Sequence, residues 1–227
     1  MQRTMVGRTA TLDEAEHYRR EALGAFAHEI RTPLTSIKMV MELARRQSSD
    51  GQLVLDRELA EMLRTSVEDL QHLADDLQET SRLERGRLAL ATGPCELGAA
   101  IEAARDLLGG QPTLEVEFQG PVEGPWDAPR LVRALAGFAG SVNRIGDGSG
   151  RARLEVTLDG ETVALRFVSG SARDGNRPVG ADAGFSFFRA RQLVLAMGGS
   201  VHSARAERFA TFFVALPLRA PGGGARG

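Results

Sequence analysis

The sequence predicts an α+β protein, with a long helical hairpin in its first half and an α/β sandwich in its second. Two stripes of apolar residues at helical spacing run through residues 12–90, and shorter helix and strand patterns are mixed over residues 94–218. Asp159-Gly160, between two runs of alternating apolar residues, is typical of a two-residue β-hairpin. We therefore expect a flexible lead (1–11), a helical hairpin (12–90), an α/β domain (94–218) and a disordered tail (219–227).

The first helix is predicted to begin at Thr11 and to end near Gln47. Thr11 and Glu14 have the spacing of a capping box, in which each side chain bonds the other's backbone amide. Apolar residues then recur every three or four positions, which is the pattern of a helix that buries one face. They are Leu23, Phe26, Ile30, Leu34, Ile37, Met41 and Ala44.

A turn at residues 48–51 leads into a second helix, predicted over residues 53–84. Its apolar stripe consists of Leu55, Leu59, Met62, Leu63, Val67, Leu70, Leu73 and Leu77. One hairpin cannot bury both stripes, so we expect a homodimeric four-helix bundle. The alternative is a monomeric hairpin that lies along the C-terminal domain.

The second half alternates between helical and strand patterns after Gly93-Pro94. Helices are expected at 97–108, 128–145 and 187–197, and strands at 114–118, 151–158, 162–168, 200–204 and 211–216. Residues 124–126 are predicted to be a loop, and Gly198-Gly199 to end the last helix. This mixture predicts helices packed on a largely antiparallel sheet.

His28 is the residue that packing explains least. It lies between Phe26 and Ile30 and about 200° around the helix from each, so it points away from the apolar stripe. Glu29 follows it, Thr32 lies one turn further on, and Pro33 removes a backbone donor, so the helix should kink just past the histidine. A neutral imidazole is a competent nucleophile near neutral pH, and Glu29 can fix its tautomer or take its proton.

The run from His28 to Leu34 (HEIRTPL) resembles the phospho-acceptor H-box of bacterial two-component sensor histidine kinases. The resemblance implies that His28 carries a phosphoryl group on a ring nitrogen, on the first helix of a dimerisation hairpin. It further implies that Arg31 and Pro33 contribute to partner docking and to the kink. It also implies that Thr32 helps to orient the water that hydrolyses the phospho-aspartate of a bound receiver domain.

The second half resembles the ATP-binding domain of the same kinases in its framework. Asp127, Arg130, Leu131, Arg133 and Leu135 match the helix of the family's N-box, and residues 191–217 match the last helix and strands. The asparagine positions of the N-box, one of which holds Mg²⁺ in the family, are Gly137 and Ser141 here. Arg144 retains the basic residue, and Asn143 lies about 200° around the helix from Ser141.

Two further nucleotide-binding loops depart from the family pattern. Ser169 takes the position of the adenine-reading aspartate, with Ser171 and Arg173 at the glycine positions that follow. The glycine-rich phosphate loop becomes Gly184-Phe-Ser186-Phe-Phe188, in which only Gly184 survives. The resemblance therefore implies an intact phospho-acceptor and a degenerate ATP site, with ATP binding weak or absent.

Three functions remain open at this stage. The protein can be a histidine phosphotransferase, in which His28 exchanges a phosphoryl group with a response-regulator receiver domain that supplies the Mg²⁺. It can be a non-catalytic pseudokinase scaffold that binds a response regulator or pairs with an upstream histidine kinase. It can also be an active kinase with a divergent ATP site.

Composition limits the partners further. The formal net charge of −2 over 227 residues gives no basic excess for nucleic acid or an anionic membrane. Cys95 is the only cysteine, which excludes an intramolecular disulfide and a cysteine-cluster metal site, and we expect no protein-bound metal. No apolar run reaches the roughly 20 residues of a membrane span, so we expect a cytoplasmic protein, either small or part of a longer sensor.

Overall fold

The computed structural model describes residues 2–47, 55–118, 120–146, 150–169, 179–206 and 209–219. Within these ranges the chain forms a helical hairpin followed by an α/β domain, as the sequence predicts. The expected turn at 48–51 and the expected tail from residue 220 onward lie outside the described residues.

The hairpin consists of α1 (Gln2–Arg46) and α2 (Arg57–Glu84). The prediction that α1 begins at Thr11 is wrong, because the helix already includes the residues assigned to a flexible lead. Adding residues to an existing helix is far easier than nucleating one, so a capping pattern need not mark its start. Helix α2 begins after Asp56, whose carboxylate accepts a hydrogen bond from the Leu59 amide at 2.8 Å. The predicted start at residue 53 lies outside the described residues.

The turn-proximal end of the hairpin has a small core of its own. Val40 and Ala44 of α1 pack against Leu59 of α2, with Met62 and Leu63 beside them. Leu55 and Val67, which were assigned to the buried stripe of α2, remain exposed in the single chain.

The α/β domain contains the remaining elements. Its helices are α3 (Leu97–Leu108), α4 (Ala128–Ile145) and α5 (Phe185–Ala196), and a 3₁₀ turn (Ala181–Ala183) precedes α5. The main sheet contains β2 (Thr113–Glu117), β4 (Arg151–Asp159), β5 (Thr162–Val168), β6 (Ser200–Ala206) and β7 (Phe209–Pro217). The strand order is β2-β4-β5-β7-β6, and only the β2–β4 pair is parallel.

A second, two-stranded sheet was not predicted. Strand β1 (Gly93–Glu96) pairs antiparallel with β3 (Glu123–Trp126), where the sequence indicated a loop. Each strand has four residues and includes proline, so neither has a periodic pattern that sequence reasoning can detect. The pair places Trp126 in the core, where its indole N–H donates to the Pro217 carbonyl at 2.8 Å.

One hydrophobic core joins the two halves of the molecule. Buried residues of α3, α4, α5 and the inner face of the sheet form a continuous cluster that also includes Tyr18 and Ala25 of α1. The α/β domain therefore lies directly against the segment of α1 that contains Tyr18 and Ala25.

Candidate phospho-acceptor site

His28 lies on an exposed stretch of α1. Its side chain is exposed, as are those of its neighbours Arg31 and Thr32, whereas Pro33 is buried. Among the described residues, the imidazole has no hydrogen-bond or ion-pair partner. The ring is therefore accessible to a second protein and free to act through either nitrogen.

The hydroxyl groups near His28 differ in whether they bond a backbone carbonyl of α1. Thr35 Oγ1 donates to the Arg31 carbonyl at 2.8 Å, and Ser36 Oγ donates to the Thr32 carbonyl at 3.3 Å. The Thr32 hydroxyl has no such partner among the described residues. Its structural alternative, bonding a backbone carbonyl near Pro33, is therefore not seen, and the hydroxyl is available to an external group.

Glu29 does not pair with His28 in this structure. Its side chain is 18% exposed, and its Oε1 accepts a hydrogen bond from the Phe185 amide at 3.1 Å. The same oxygen lies 3.3 Å from Nη1 of Arg144. The carboxylate thus lies at the N-terminus of α5, between that helix and the end of α4.

Gly184 makes this approach possible. Its φ of +81° lies in the left-handed region, and it supplies no side-chain cap to α5. A Cβ atom at this position would lie 2.7 Å from Glu29 Oε1 and 3.0 Å from Cζ of Arg144. Any other residue at 184 would displace the carboxylate from the helix.

Helices α4 and α5 meet where the degenerate N-box positions lie. A Cβ atom at Gly137 would lie 3.0 Å from the Ser186 carbonyl oxygen and 3.2 Å from Cβ of Ala190. Ser141 is fully buried, and its hydroxyl lies 3.2 Å from that of Ser186. The two helices therefore contact each other directly along this face.

The phenylalanines after Gly184 belong to the core. Phe185, Phe187 and Phe188 are buried, and the Phe187 ring lies 4.7 Å from that of Phe212 between centroids. Phe185 packs against Phe26 of α1 with 5.2 Å between centroids. The segment that corresponds to a phosphate-binding loop is thus used for packing.

Ser169 lies at the end of β5, as the sequence predicts. Its side chain is buried, and its Oγ has no partner among the described residues. Gly146 lies against it, since a Cβ there would be 2.5 Å from the Ser169 hydroxyl. Ser171 and Arg173 lie outside the described residues.

Several interdomain residues were missed by sequence reasoning. On α2, Glu79 lies 3.1 Å from Arg130 and 3.7 Å from Arg133. Asp76 pairs with Arg189 of α5, and burial raises the pKa of Asp76 although Arg189 opposes this shift. From the sequence, Asp76 and Glu79 have the positions of solvent-facing residues on an amphipathic helix. Their partners are on the α/β domain, which packs against α2 only in the folded structure.

No group of three or more His, Cys, Asp or Glu side chains in the described part of the chain is placed to hold a metal ion. Nor does any described helix have the length and apolar character needed to cross a membrane.

The comparisons agree with the geometry around His28. Residues 18–86 match the family model of the His Kinase A (phospho-acceptor) domain. The sensor protein DivL of Caulobacter vibrioides is 31% identical over 143 residues, which cover 60% of this chain and 18% of DivL. The sensor protein SphS of Synechococcus elongatus is 33% identical over 145 residues, covering 60% of this chain and 33% of SphS.

The histidine-protein kinase BaeS of Escherichia coli is 26% identical over 165 residues, covering 70% of this chain and 34% of BaeS. The chain thus spans between about a sixth and a third of the length of these curated relatives.

Solved histidine kinases share the fold. The Acinetobacter baumannii histidine kinase AdeS superposes with a TM-score of 0.65 at 19% identity, over 84% of this chain and 98% of that one. Full-length ShkA in complex with AMPPNP gives a TM-score of 0.56 at 20% identity, over 90% of this chain and 47% of that one. At these identities the likeness concerns the arrangement of a helical hairpin and an ATPase-like α/β domain.

Proposed function

Because this chain belongs to the two-component histidine kinase family, we propose that it exchanges a phosphoryl group between His28 and a response-regulator receiver domain, without using ATP. The observation that carries this proposal is the exposed imidazole of His28, which has no partner among the described residues and lies within a phospho-acceptor domain at residues 18–86. Two-component signalling follows from the family, and the nucleotide-independent exchange is the added step.

The exchange needs little from this chain beyond a positioned nucleophile. A neutral ring nitrogen of His28 attacks the phosphorus of a receiver phospho-aspartate, so that an N–P bond forms while the P–O bond to the aspartate breaks. The receiver regains its carboxylate, and solvent takes up the proton from the exposed ring. The Mg²⁺ comes with the receiver, because phosphoryl transfer depends mainly on positioning and charge neutralisation.

Several contacts argue against Mg-ATP in the α/β domain. Gly137 and Ser141 offer neither a carboxamide nor a carboxylate to a metal, and α5 lies against α4 at both positions. The α5 N-terminus, which would attract phosphate groups, is occupied by the carboxylate of Glu29. These contacts support the proposed absence of ATP binding, and no step of the proposed reaction passes through the nucleotide.

The experiment has two parts. Calorimetric titration with ATP and Mg²⁺ should give no micromolar binding, and labelled ATP should give no acid-labile phosphorylation. A phosphorylated receiver domain should transfer its label to this protein, and His28→Ala should abolish that transfer. Micromolar affinity together with labelling that His28→Ala removes would restore an active kinase.

That active kinase is the second candidate, and one observation favours it. Ser169 Oγ is buried at the base-reading position and lacks a partner among the described residues. Such an atom can be satisfied by a ligand. Calorimetry distinguishes this candidate directly from the first.

The scaffold reading, with a response regulator or an upstream histidine kinase as partner, predicts binding without transfer. If a receiver domain binds with the same affinity to wild type and to His28→Ala, and no label moves in either case, the scaffold is the better description.

We propose in addition that the working unit is a homodimer formed through the hairpin.

A further inference from the structure

A second face of α1, next to the face that carries His28, contacts the α/β domain at residues 181–185. Tyr18, Glu21, Ala25 and Glu29 recur at intervals of three and four residues, so they share one helical face. Glu21 Oε2 accepts a hydrogen bond from the Ala181 amide at 2.6 Å, and Glu29 Oε1 accepts one from the Phe185 amide at 3.1 Å. Two carboxylates of the hairpin thus bind backbone amides at both ends of residues 181–185.

Apolar contacts surround these two hydrogen bonds. Ala25 is buried between the carboxylates, and Gly24 lies close enough to Ala181 that a Cβ would contact it at 3.4 Å. Phe26 packs on Phe185, and the Tyr18 ring lies 4.2 Å from the Arg191 guanidinium carbon. Hydrogen bonds in such partly buried surroundings are stronger than those in water.

The amides at the start of α5 have no cap from their own segment. Gly184 provides no side chain, so the amides at the N-terminus of this helix are available to an anion from elsewhere in the molecule. In a nucleotide-binding domain that anion can be a phosphate. Here the anion is the carboxylate of Glu29, and Nη1 of Arg144 lies 3.3 Å from its Oε1.

We propose that Glu21 and Glu29 form a two-carboxylate clasp, in which the hairpin itself orders residues 180–185 and holds the ATPase-like domain to α1 without a nucleotide. This inference rests on the proposed absence of ATP from the domain. Glu29 is then a positioning residue, which acts through the docked domain, and it is not the proton acceptor of His28.

The clasp has a consequence for access to His28. In the described part of the chain, the hydrogen bonds and ion pairs between α1 and the α/β domain end at Glu29. Beyond it, the side chains of Arg31, Thr32, Leu34 and Thr35 are exposed. From His28 to Arg46 the helix extends about 27 Å at 1.5 Å per residue. A domain whose polar contacts with α1 extend no further along the helix than Glu29 leaves this length of α1 open to a receiver.

Hydrogen–deuterium exchange of peptides that cover residues 180–188 tests the clasp. Glu21→Ala and Glu29→Ala should each raise exchange there by about tenfold or more, because each removes a charge-assisted hydrogen bond, and the double variant should exceed both. Glu29→Gln keeps an acceptor oxygen and should give a smaller increase than Glu29→Ala. Glu16→Ala, which removes an exposed carboxylate of the same helix that pairs with Arg20, is the matched control and should behave as wild type.

Unchanged exchange in the double variant would overturn the clasp, whatever the nucleotide does. Repeating the wild-type measurement with millimolar ATP and Mg²⁺ should leave exchange unchanged. A change on adding ATP, with the carboxylate variants still raising exchange, would overturn the nucleotide-independent function and leave the interdomain contact in place.

The rate of phosphoryl transfer distinguishes a positioning role of Glu29 from a role as proton acceptor. Arg144→Gln leaves Glu29 chemically intact but weakens its hold, so it should slow transfer from a phosphorylated receiver by a factor similar to that of Glu29→Gln. If Glu29→Gln abolishes transfer while Arg144→Gln leaves it at the wild-type rate, Glu29 acts as a proton acceptor and the positioning role is wrong.

Discussion

Thr32, one turn after His28, has a hydroxyl group that makes no hydrogen bond among the described residues. Its side chain is exposed, and its hydroxyl lies on the same face of α1 as the imidazole, one turn away. The neighbouring Thr35 differs, since its hydroxyl is bonded to the Arg31 carbonyl at 2.8 Å. The two threonines therefore form a natural pair of test and control positions.

We predict that Thr32→Ala slows net dephosphorylation of a receiver domain while leaving transfer to His28 largely intact. The reason is that a free hydroxyl at this position can orient an attacking water, whereas the imidazole attacks phosphorus directly. Time courses of labelled receiver and labelled protein measure both rates. Thr35→Ala should leave both rates near wild type, and equal losses of the two rates in Thr32→Ala would contradict separate roles.

Gly137 shows why restoring a family residue should not restore the family's site. Asparagine at this position would place its Cβ 3.0 Å from the Ser186 carbonyl and would need room for a carboxamide beyond it. We predict that Gly137→Asn lowers the free energy of unfolding by about 2 kcal/mol, in the range of overpacked cores, and gives no Mg-ATP binding. Urea denaturation and calorimetry measure the two effects.

Gly140 provides the control for this substitution. It lies on the same helix with open space around its missing Cβ. Gly140→Asn should therefore be neutral or slightly stabilising, because asparagine has a somewhat better helix propensity than glycine. A destabilisation as large as that of Gly137→Asn would point to the helix and not to the α4–α5 contact.

At the scale of elements, helix α4 begins after Asp127, an N-cap residue that also joins α4 to the rest of the molecule. The Asp127 carboxylate is buried and accepts from the Arg130 amide at 3.2 Å, from the Ala91 amide at 2.9 Å and from the Arg130 guanidinium at 2.6 Å. One side chain thus caps α4, holds the linker after α2 and neutralises an arginine that also binds Glu79. Its loss should affect both halves of the molecule.

We predict that Asp127→Ala destabilises the protein by about 3 kcal/mol or more, as breaking buried ion pairs does. Asp56→Ala is the comparison, since Asp56 is an exposed cap of α2 with one hydrogen bond, and should cost about 1 kcal/mol. Denaturant titrations of both variants give the difference. Equal losses would show that Asp127 acts only as a helix cap.

The same residue predicts a dependence on pH. Burial alone would raise the pKa of Asp127, but the bonds from Arg130 and the Ala91 amide outweigh it and hold the pKa below its usual value. A lowered pKa in the folded state means stability that is present above the unfolded value of about 3.9 and lost as pH falls through the folded value. The difference in unfolding free energy between wild type and Asp127→Asn should therefore be constant from neutral pH to about pH 5 and shrink below about pH 4.

The elements whose limits the sequence could predict are those bounded by local capping or turn residues. Asp127 and Pro129 mark the start of α4, and Asp159-Gly160 fixes the hairpin between β4 and β5, so those limits agree with the structure within a residue or two. Strands β1 and β3 lack any such marks, because each is short and its pairing joins residues about 30 positions apart. The start of α1 was missed because helix propagation needs no sequence signal of its own.

At the scale of the molecule, the docking of the two halves was beyond sequence reasoning. His28 and its neighbours were identifiable because a contiguous pattern carries them, and Gly137 and Ser141 because they depart from such a pattern. Glu21, Asp76 and Glu79 have no local pattern, since an acidic residue on the outer face of a helix is usually solvated. Their partners are 51 to 160 positions away along the chain, and only the folded structure brings them together.

The single chain leaves an apolar stripe on α1 without a partner. Leu23, Leu34 and Met41 are 58%, 47% and 40% exposed, and their spacings of 11 and 7 residues place them within about 20° of each other around the helix. This stripe is separate from the face that holds the α/β domain. A contiguous exposed apolar surface is typical of an interface, and a second hairpin of the same kind can bury it as a four-helix bundle.

We predict that the protein is a homodimer through this stripe and that Leu34→Glu shifts it to monomers by burying an uncompensated charge in the interface. Sedimentation velocity over a range of concentrations measures the shift, and circular dichroism checks that the α/β domain remains folded. Leu158→Glu is the control, because Leu158 is 61% exposed at the end of β4, away from the hairpin, and it should leave the dimer unchanged.

Leu59→Glu should unfold the hairpin itself, since Leu59 is buried inside the hairpin against Val40 and Ala44. A wild-type protein that sediments as a monomer at every concentration would contradict the dimer and favour the alternative in which the stripe stays exposed.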